Sequence, residues 1–471
     1  MQNQSIQENK MGVMPVGKLV ISMSLPIIIS MLVQSVYNIV DSIFVSKISQ
    51  AALNAVSLAF PAQNLMIGFA TGSAVGVNAL VSRALGAKDP DRANRIAKNG
   101  VFIALCCYVL FLLFGLFGSR LFFKTQAQDP LIIEYGCKYL MIVCGLSFGI
   151  FGEIMFERLL TSTGKTIFTM ICQGTGAVIN IILDPVFIFV FDMGVAGAAI
   201  ATIIGQIAAC GLAIYFNYKK NTELRLKFKG FRPEGKIIGN IASIGVPSII
   251  MVAVGSVMTF IFNIILINFT TAGHYSQNVF GIYFKLNSFI FMPIFGLNNG
   301  VIPIIAYNYG AQKRKRMLKT VKLALGIAVG LMAIGTLLFM LIPGSLLGMF
   351  ISNASAEETA IMLSIGKPAL RIICIHFIMA GVVISFNSIF QALGKGIYAM
   401  ITSICRQLLV LLPVAYILAR IGFAAGNDKL VWISFPIAEV VSMAVAIIFF
   451  LRINKKLISR IKDADDTAAI A

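Results

Sequence analysis

The chain has 471 residues, of which 58% are hydrophobic and only 12% are charged, and its formal net charge at pH 7 is +19. About a quarter of the residues in an average soluble domain are charged, so this composition excludes an ordinary soluble protein and indicates a polytopic membrane protein. An excess of Lys and Arg would suggest nucleic-acid binding in a soluble chain. Here the basic residues lie in short connections between apolar runs, and we expect no nucleic-acid partner.

Twelve apolar runs are long enough to cross a bilayer, which takes about 20 apolar residues per helix. Only helices and closed barrels satisfy the backbone in lipid, and these runs are too long for barrel strands. The fold class predicted is therefore an all-α polytopic membrane protein. Its twelve spans are expected at 18–46, 52–83, 95–123, 131–160, 166–191, 195–218, 237–270, 277–309, 317–350, 357–391, 397–421 and 430–452.

The distribution of Lys and Arg predicts the orientation of the spans. Basic clusters follow spans 2, 6, 8 and 12, whereas the connections on the opposite side carry few charges. Basic loops remain in the cytoplasm, so both termini are expected there, in a multi-pass protein of the cell membrane. The first ten residues are polar and do not fit a cleavable signal peptide; the first apolar run is expected to be the first span.

An internal repeat divides the chain into two halves. Three glycines recur at one constant offset, since Gly72, Gly76 and Gly86 match Gly296, Gly300 and Gly310. Each half holds six spans and keeps the same orientation, so a pseudo-twofold axis along the membrane normal and a central cavity are expected. The predicted domains are an N-terminal half at 1–218 with the cation-coupling site, a basic cytoplasmic linker at 219–236 and a C-terminal half at 237–471.

Span 1 carries a polar face that ends in a carboxylate. Ser30, Gln34, Asn38 and Asp41 are spaced by 4, 4 and 3 residues, which places them on one face of a helix. A carboxylate in hydrocarbon costs about 3 kcal/mol on insertion scales and persists where it meets a partner or a wet cavity. The alternative interpretation is a polar seam that only joins helices; for Asp41 we favour a functional role.

Span 5 carries a second intramembrane carboxylate. Gln173, Asn180 and Asp184 lie on one helical face, at spacings of 7 and 4. Asp184 precedes Pro185, which lacks an N–H and frees a carbonyl one turn back. The alternative interpretation is that Asp184 only stabilises this proline kink.

The polar residues of spans 1, 5 and 6 are expected at a similar depth in the membrane. At about 1.5 Å per residue, Asp41, Asp184 and Thr202 of span 6 share one layer in the outer half of the membrane. With Asn38 and Asn180 they form a candidate site for a proton or a small cation. Carboxylates that share a desolvated site hold a proton readily, and clustered oxygen ligands also suit Na⁺ at Asp41 and Asp184, so both ions remain open.

Functional and structural interpretations both apply to the other charges inside the spans. Glu157, with Glu153 one turn away, lies near the inner end of span 4 and is included in the cation-coupling set, although an interfacial role is equally open. The second half has Lys285, Arg371, Arg406 and Glu439, whose long stems can snorkel to the interface. His376 is more typical of a helix-packing hydrogen bond than of a proton relay.

A loose pocket for bulky organic cations is expected between the halves, because adaptable Met and aromatic side chains suit such ligands. The candidate cavity residues are Gln34, Tyr37, Met66, Phe151, Phe284 and Met292. Pro and Gly inside several spans mark helices that can bend, which alternating access requires.

No enzyme motif is present, since the chain has no P-loop, HExxH or GxSxG sequence. The eight cysteines form no CxxC pair and no zinc spacing. The sequence therefore predicts a non-enzymatic protein with no metal cofactor and no cofactor beyond its coupling ion.

The sequence resembles the multidrug and toxic compound extrusion (MATE) antiporters, and among them the MepA-like bacterial members. The resemblance covers nearly the whole chain and twelve spans in two halves. It is carried by LPIIISMLVQSVYNIVDSIFVSKI in span 1, VSRALGAKDPDRANR after span 2, the Gly-Lys after span 4 and INIILDPVFIF in span 5.

The resemblance implies export of lipophilic cations through the central cavity in exchange for H⁺ or Na⁺. The family's N-terminal cation site matches Asp41, Asn180, Asp184 and Thr202 here. Glu157 stands where the archaeal branch often has Asn, which leaves its role open. The sodium-coupled NorM branch also uses acidic residues in spans 7 and 10; none lies inside those spans here, which favours coupling in the N-terminal half.

Three other functions are alternatives to an antiporter. A lipid-linked oligosaccharide flippase of the same superfamily would use a cationic cavity, for which Lys285, Arg371 and Arg406 are candidates. An intramembrane enzyme would need a clustered catalytic set, which the sequence lacks. A channel fits the duplicated halves and bent helices less well than alternating access does. We expect a monomer whose partners are small organic cations and membrane lipids.

Overall fold

The computed structural model describes residues 8–351, 355–461 and 463 of the chain. All regular secondary structure within these ranges is helical. The expectation that both termini are cytoplasmic concerns residues 1–7 and 464–471, which lie outside the described residues.

The first half of the chain ends with the helix that precedes the connection at residues 220–234. Its helices are α1 Lys10–Val13, α2 Val16–Ser46, α3 Gln50–Gly86, α4 Pro90–Leu113, α5 Ser119–Lys124, α6 Pro130–Gly145, α7 Phe148–Ser162, α8 Thr166–Pro185 and α9 Gly194–Lys219. The helices of the second half are α10 Gly235–Phe269, α11 Gly273–Gly310, α12 Arg314–Leu341, α13 Pro343–Gly348, α14 Ala356–Ile373, α15 Phe377–Ala392, α16 Gly396–Ile404, α17 Leu412–Ala424 and α18 Ser434–Lys456.

The predicted all-α fold with twelve spans is confirmed. Among the described residues, eleven helical runs are long and apolar enough to cross a membrane, and the bent pair α6–α7 makes a twelfth. We call the side at which α3, α9 and α11 end the basic side, because the Lys- and Arg-rich connections follow these helices.

Two predicted spans differ from the helices observed. The run predicted as one helix at 131–160 bends by 43° between α6 and α7. At this break the Ser147 hydroxyl donates to the carbonyl of Cys144 (2.7 Å) and satisfies a carbonyl at the end of α6. The span predicted to reach residue 350 ends at Leu341, because Pro343 cannot continue α12 and instead begins α13.

Irregular helical turns interrupt several spans. A π-helical segment, Val186–Val190, follows Pro185 at the end of α8, and another, Cys405–Leu411, joins α16 to α17. A 3-10 turn, Cys374–His376, separates α14 from α15. Such segments are frequent at functional positions, because they leave main-chain carbonyls free and allow a helix to bend.

The repeated glycines mark symmetric contacts between the halves. A Cβ atom added at Gly86 would collide with the carbonyl oxygen of Tyr307, and one added at Gly310 would collide with the carbonyl oxygen of Arg83. Gly86 and Arg83 occupy the same repeat positions as Gly310 and Tyr307, so each contact is the pseudo-twofold image of the other. These glycines allow α3 and α11 to touch backbone to backbone at the basic side.

Helix α1 connects the two halves at the basic side. The carbonyl of Met11 accepts a hydrogen bond from Asn308 Nδ2 (3.1 Å), and that of Met14 accepts one from Arg316 (2.6 Å), both in the second half. On the other flank, Asn9 Nδ2 donates to the carbonyl of Thr163 (3.0 Å) and to Glu223 Oε1 (2.5 Å), both in the first half. Glu223 lies outside the spans, and burial raises the pKa of its carboxyl group.

Candidate functional site

Asn180 and Asp184 of α8 face α9 in the interior of the first half. Asp184 is fully buried, and Asn180 Nδ2 donates to Asp184 Oδ1 (3.2 Å) and to Thr202 Oγ1 of α9 (3.3 Å). The i, i+4 spacing places Asn180 directly beside Asp184. Close packing of α8 on α9, where Gly176 meets the Gly205 carbonyl, brings Thr202 within reach.

Asp41 of α2 completes what we call the carboxylate cluster, which consists of Asp41, Asn180, Asp184 and Thr202. Asp41 is partly buried and lies within electrostatic range of Asp184. Helix α2 packs on α8 in the first half and on α11 in the second. A bend or shift of α2 near the cluster would therefore change its packing against both halves.

The carboxylate cluster is rich in acceptors and poor in donors. Asp41 Oδ1, Asp184 Oδ2 and Asn180 Oδ1 are buried and have no hydrogen-bond partner among the described residues. A buried acceptor without a donor costs about 1–3 kcal/mol. A proton on one carboxyl group or a small cation between the oxygens would remove this cost, so the donor set fits either ion.

Two polar pairs surround Asp41. Tyr37 lies one turn before it on α2 and pairs with the Gln34 side chain, and Tyr37 is also within electrostatic range of both Asp41 and Asp184. Gln63 Nε2 of α3 donates to the hydroxyl of Tyr139 on α6 (3.0 Å), and Tyr139 faces Asp41 electrostatically. Sequence spacing does not reveal Gln63 or Tyr139 as neighbours of Asp41, because only tertiary packing brings α3 and α6 to α2.

The other polar residues predicted on α2 lie apart from these contacts. Asn38 is exposed, and its main-chain carbonyl accepts a hydrogen bond from Ser42 Oγ (2.8 Å). Ser30 Oγ donates to the carbonyl of Pro26 (3.0 Å), which fits a helix-stabilising role. The role predicted for Asn38 in cation coupling remains a prediction.

Glu157 lies in a different layer from the carboxylate cluster. It is 3% exposed on α7, five residues from the basic-side end of that helix, and its Oε2 accepts a hydrogen bond from Gln173 Nε2 of α8 (2.9 Å). This hydrogen bond joins span 4 to span 5. Glu157 does not share the hydrogen bonds of Asn180, which run to Asp184 and Thr202.

The candidate cavity residues have very different exposures. Met66 and Phe151 are only 1% and 2% exposed and belong to the apolar core of the first half, where Phe151 packs on Phe111. Phe284 of α11 is 40% exposed and Met292 is partly exposed. Of these four, only the two in α11 present surface to a ligand in this conformation.

The three basic residues that the flippase alternative requires in the second half each have a contact. Arg406 pairs with Glu439 Oε1 of α18 (3.5 Å), Arg371 donates to the carbonyl of Met340 (3.3 Å), and Lys285 lies over the ring of Phe350 (5.8 Å). Ring nitrogen Nδ1 of His376 lies 2.5 Å from the carbonyl of Ile373, which is the packing role expected for this residue.

Comparison with known proteins identifies relatives along most of the chain. The MatE family profile matches residues 26–186 and 247–417. "Multidrug export protein MepA" of Staphylococcus haemolyticus is 28% identical over 92% of this chain and 94% of its own length. The protein of the same name from Staphylococcus saprophyticus subsp. saprophyticus is 26% identical over 91% and 92%.

Solved structures share the same fold. A MATE structure in complex with MaL6 superposes with a TM-score of 0.89, at 24% identity over 96% of this chain and 99% of that one. A multidrug resistance MATE family transporter of the MOP superfamily, solved in an outward-facing conformation, gives a TM-score of 0.88 with the same identity and coverage.

Proposed function

The chain belongs to the MatE family, and on that premise we propose that it is a secondary active antiporter. It exports lipophilic organic cations in exchange for H⁺ or Na⁺ by alternating access, as a monomer in the cell membrane. The names of its staphylococcal relatives support multidrug export as the activity. The basic side faces the cytoplasm, as the positive-inside rule requires.

The unsatisfied oxygens of the carboxylate cluster are the observation that carries the proposal. Asp41 Oδ1, Asp184 Oδ2 and Asn180 Oδ1 are three buried acceptors that lack a donor in the described structure. An ion that binds there removes an energetic cost, so its binding provides free energy that a conformational change can use. The coupling site accordingly belongs to the N-terminal half at 1–218, which the linker at 219–236 joins to the half at 237–471.

Helix α2 links ion binding to substrate release. The coupling ion enters from the outer side and binds between Asp41 and Asp184. Because Pro26 leaves α2 without one main-chain hydrogen bond, the helix bends or shifts when the charge on Asp41 is neutralised. Substrate in the central cavity, where Tyr37, Phe284 and Met292 offer contacts, is then displaced outward. The inward-facing state takes up new substrate and releases the ion.

The contacts of the second-half cations weigh against the flippase alternative. A flippase for anionic lipids needs several cations free to bind phosphate. Arg406 is instead paired with Glu439, Arg371 with a carbonyl oxygen, and Lys285 with an aromatic ring. The first half adds two carboxylates, which repel a phosphate group.

Export of a fluorescent lipophilic cation from proteoliposomes tests the proposal. Imposing a pH gradient and a Na⁺ gradient in turn identifies the coupling ion, since only the coupled gradient accelerates export. The double variant Asp41→Asn, Asp184→Asn should lose gradient-driven export, because neither amide binds a proton or replaces a carboxylate charge. Glu134→Gln is the matched control, since Glu134 is exposed on α6 and pairs with Lys138 (2.7 Å). Undiminished export by the double variant would contradict the proposal.

A further inference from the structure

A second group of unsatisfied acceptors lies nearer the basic side than the carboxylate cluster. Glu157 Oε1 and Gln173 Oε1 are buried and have no hydrogen-bond partner in the described part of the chain. The neighbouring hydroxyls do not serve them, because Thr161 Oγ1 and Thr169 Oγ1 both point at the main-chain carbonyl of Glu157, at 2.9 and 3.4 Å. The carboxyl group of Glu157 thus has one oxygen bound by Gln173 and one oxygen without a donor.

The two groups are separate along the membrane normal. Gln173 precedes Asp184 by eleven residues on α8, which corresponds to ~16 Å along a helix. Gln206 lies between them on α9, one turn from Thr202 towards the basic side, and its Oε1 is also buried without a partner in the described structure. Acceptors that lack donors therefore continue from the carboxylate cluster towards Glu157.

Electrostatic contacts trace the same route. Glu153 lies one turn from Glu157 on α7, towards the carboxylate cluster, and the two interact. Glu153 also acts on Tyr37, which in turn lies within range of Asp41 and Asp184. These contacts connect Glu157 to the carboxylate cluster within the first half.

The remaining ionisable groups around Glu157 do not occupy its free oxygen. Arg158 is its chain neighbour and attracts it electrostatically, but adjacent residues on a helix do not face each other. The thiols of Cys172 on α8 and Cys210 on α9 are the other ionisable groups from packed helices within range. The donor to the carboxylate remains the Gln173 amide, which is neutral.

The geometry points to a proton rather than a metal ion at this position. Hard metal cations are held by about six oxygen ligands, whereas Glu157 Oε1 and Gln173 Oε1 are two. A carboxyl oxygen that accepts a proton becomes a donor and satisfies itself and an adjacent acceptor.

We propose that Glu157 is a proton-binding station between the carboxylate cluster and the cytoplasm. Coupling protons bound at Asp41 and Asp184 leave through the first half by way of Glu157, while substrate uses the cavity between the halves. This assignment rests on the antiporter function proposed above, and it further specifies H⁺ as the coupling ion. Glu157 therefore affects the release of protons from Asp41 and Asp184 to the cytoplasm, and it does not affect the competition between protons and substrate.

Substrate displacement and transport separate these two roles. In detergent, Glu157→Gln should bind a fluorescent lipophilic cation as wild type does and still release it on acidification, because Asp41 and Asp184 are intact. Asp184→Asn should lose the acid-induced release. In proteoliposomes, Glu157→Gln should lower pH-gradient-driven export by roughly a hundredfold or more, the usual contribution of a proton-transferring group. Glu157→Asp, which retains a carboxyl group, should recover part of the rate, and Glu134→Gln should match wild type.

A pH indicator inside the vesicles reports proton movement per exported cation. The proposal is supported if wild-type protein exports the cation with proton counterflow and Glu157→Gln shows reduced rates of both. Wild-type export and proton flux in Glu157→Gln would overturn it, as would loss of acid-induced release in that variant. Export that responds only to Na⁺ overturns the station but leaves the antiporter intact, and export that responds to neither gradient overturns both.

If thermal unfolding shows that Glu157→Gln does not fold, the variant Gln173→Met tests the same proposal. It removes the one donor to the carboxylate and should change the pH dependence of export without abolishing acid-induced release. An unchanged pH profile in Gln173→Met would count against the station.

Discussion

The position of Asp184 depends on a single amide. Asn180 Nδ2 is its donor and also holds Thr202, so one side chain fixes the carboxylate against two helices. Asn180→Leu keeps a similar volume and removes both hydrogen bonds. We expect gradient-driven export to fall by up to roughly a hundredfold, since misplacement of a reacting group by about 1 Å can have an effect of this size.

Thr202→Val is a milder variant to compare with Asn180→Leu. It is isosteric and removes only the contact at 3.3 Å, so its loss of export should be smaller, roughly two- to threefold by the worth of one neutral hydrogen bond. Initial rates in proteoliposomes measure both variants. An Asn180→Leu protein that exports as fast as wild type would show that Asp184 needs no orienting donor.

At the residue scale, sequence spacing predicted only part of the carboxylate cluster. Periodicity placed Asn180 beside Asp184, and a common depth placed Thr202 near them; the hydrogen bonds confirm that these three are neighbours. Gln206 follows Thr202 by four residues, so the same spacing would have found it. Tyr139 could not be found this way, because its approach to Asp41 depends on how α6 packs against α2.

Helix α1 is a short element whose stability depends on its contacts with both halves. Its carbonyls accept hydrogen bonds from Asn308 and Arg316, and Met11 is completely buried. Asn308→Ala and Arg316→Ala remove two of the three second-half side chains that donate to this segment, the third being Lys313 to the Gly12 carbonyl (3.1 Å). The double variant should loosen the helix, since four residues cannot remain helical alone. Hydrogen–deuterium exchange at residues 10–14 should then accelerate strongly, whereas the exposed control Arg232→Ala should leave it unchanged. Full protection in the double variant would contradict this role.

The symmetric glycine contacts give a prediction about the packing of α3 against α11. Gly86→Ala and Gly310→Ala each insert a methyl group against a carbonyl oxygen of the other half, which should destabilise the closed basic side by about 1–3 kcal/mol, as overpacking does. Gly211→Ala is the control, because nothing lies within 4 Å of its added Cβ and alanine favours a helix. Thermal unfolding in detergent measures the difference. Equal transition temperatures for all three variants would show that the halves do not touch there.

At the element scale, the sequence predicted each span but not how the spans break. Length and hydropathy set the spans, and Pro343 signals the early end of α12. The bend between Gly145 and Phe148 has no proline and depends on the packing of Ser147 against its own helix end. The π-helical segment Val186–Val190 follows Pro185 and packs against α9; hydropathy alone does not predict it.

At the scale of the whole molecule, the reciprocal contacts of Gly86 and Gly310 relate the two halves, but the charges in the two halves differ. The first half buries Asp41, Asp184 and Glu157 without ion-pair partners in the described residues, whereas the second half pairs Arg406 with Glu439. The repeat predicted the symmetric halves, and the absence of a carboxylate at the matching position in span 7 predicted the asymmetry. The Arg406–Glu439 pair was not predicted, because the two residues lie on different helices and share no sequence pattern.

This asymmetry predicts that neutralising Glu439 in the second half affects stability, whereas neutralising Asp41 and Asp184 in the first half affects ion coupling. Glu439→Gln leaves Arg406 without its partner and should lower the free energy of unfolding by about 2 kcal/mol, less than for a fully buried pair because Arg406 is partly exposed. It should nevertheless retain acid- or Na⁺-induced release of substrate. Replacing both partners by Met should restore stability. Loss of ion-induced release in the stable Met–Met variant would place part of the coupling in the second half.

The central claim is that ion and organic cation exchange for one another through Asp41 and Asp184. Coupling is reciprocal, so an outward gradient of the organic cation, with no ion gradient imposed, must drive H⁺ or Na⁺ in the opposite direction. Proteoliposomes loaded with a lipophilic cation and monitored for both ions measure this directly. The account predicts counterflow of one ion by wild-type protein and none by the Asp41→Asn, Asp184→Asn double variant. Efflux of the cation by wild-type protein with no movement of either ion would contradict it.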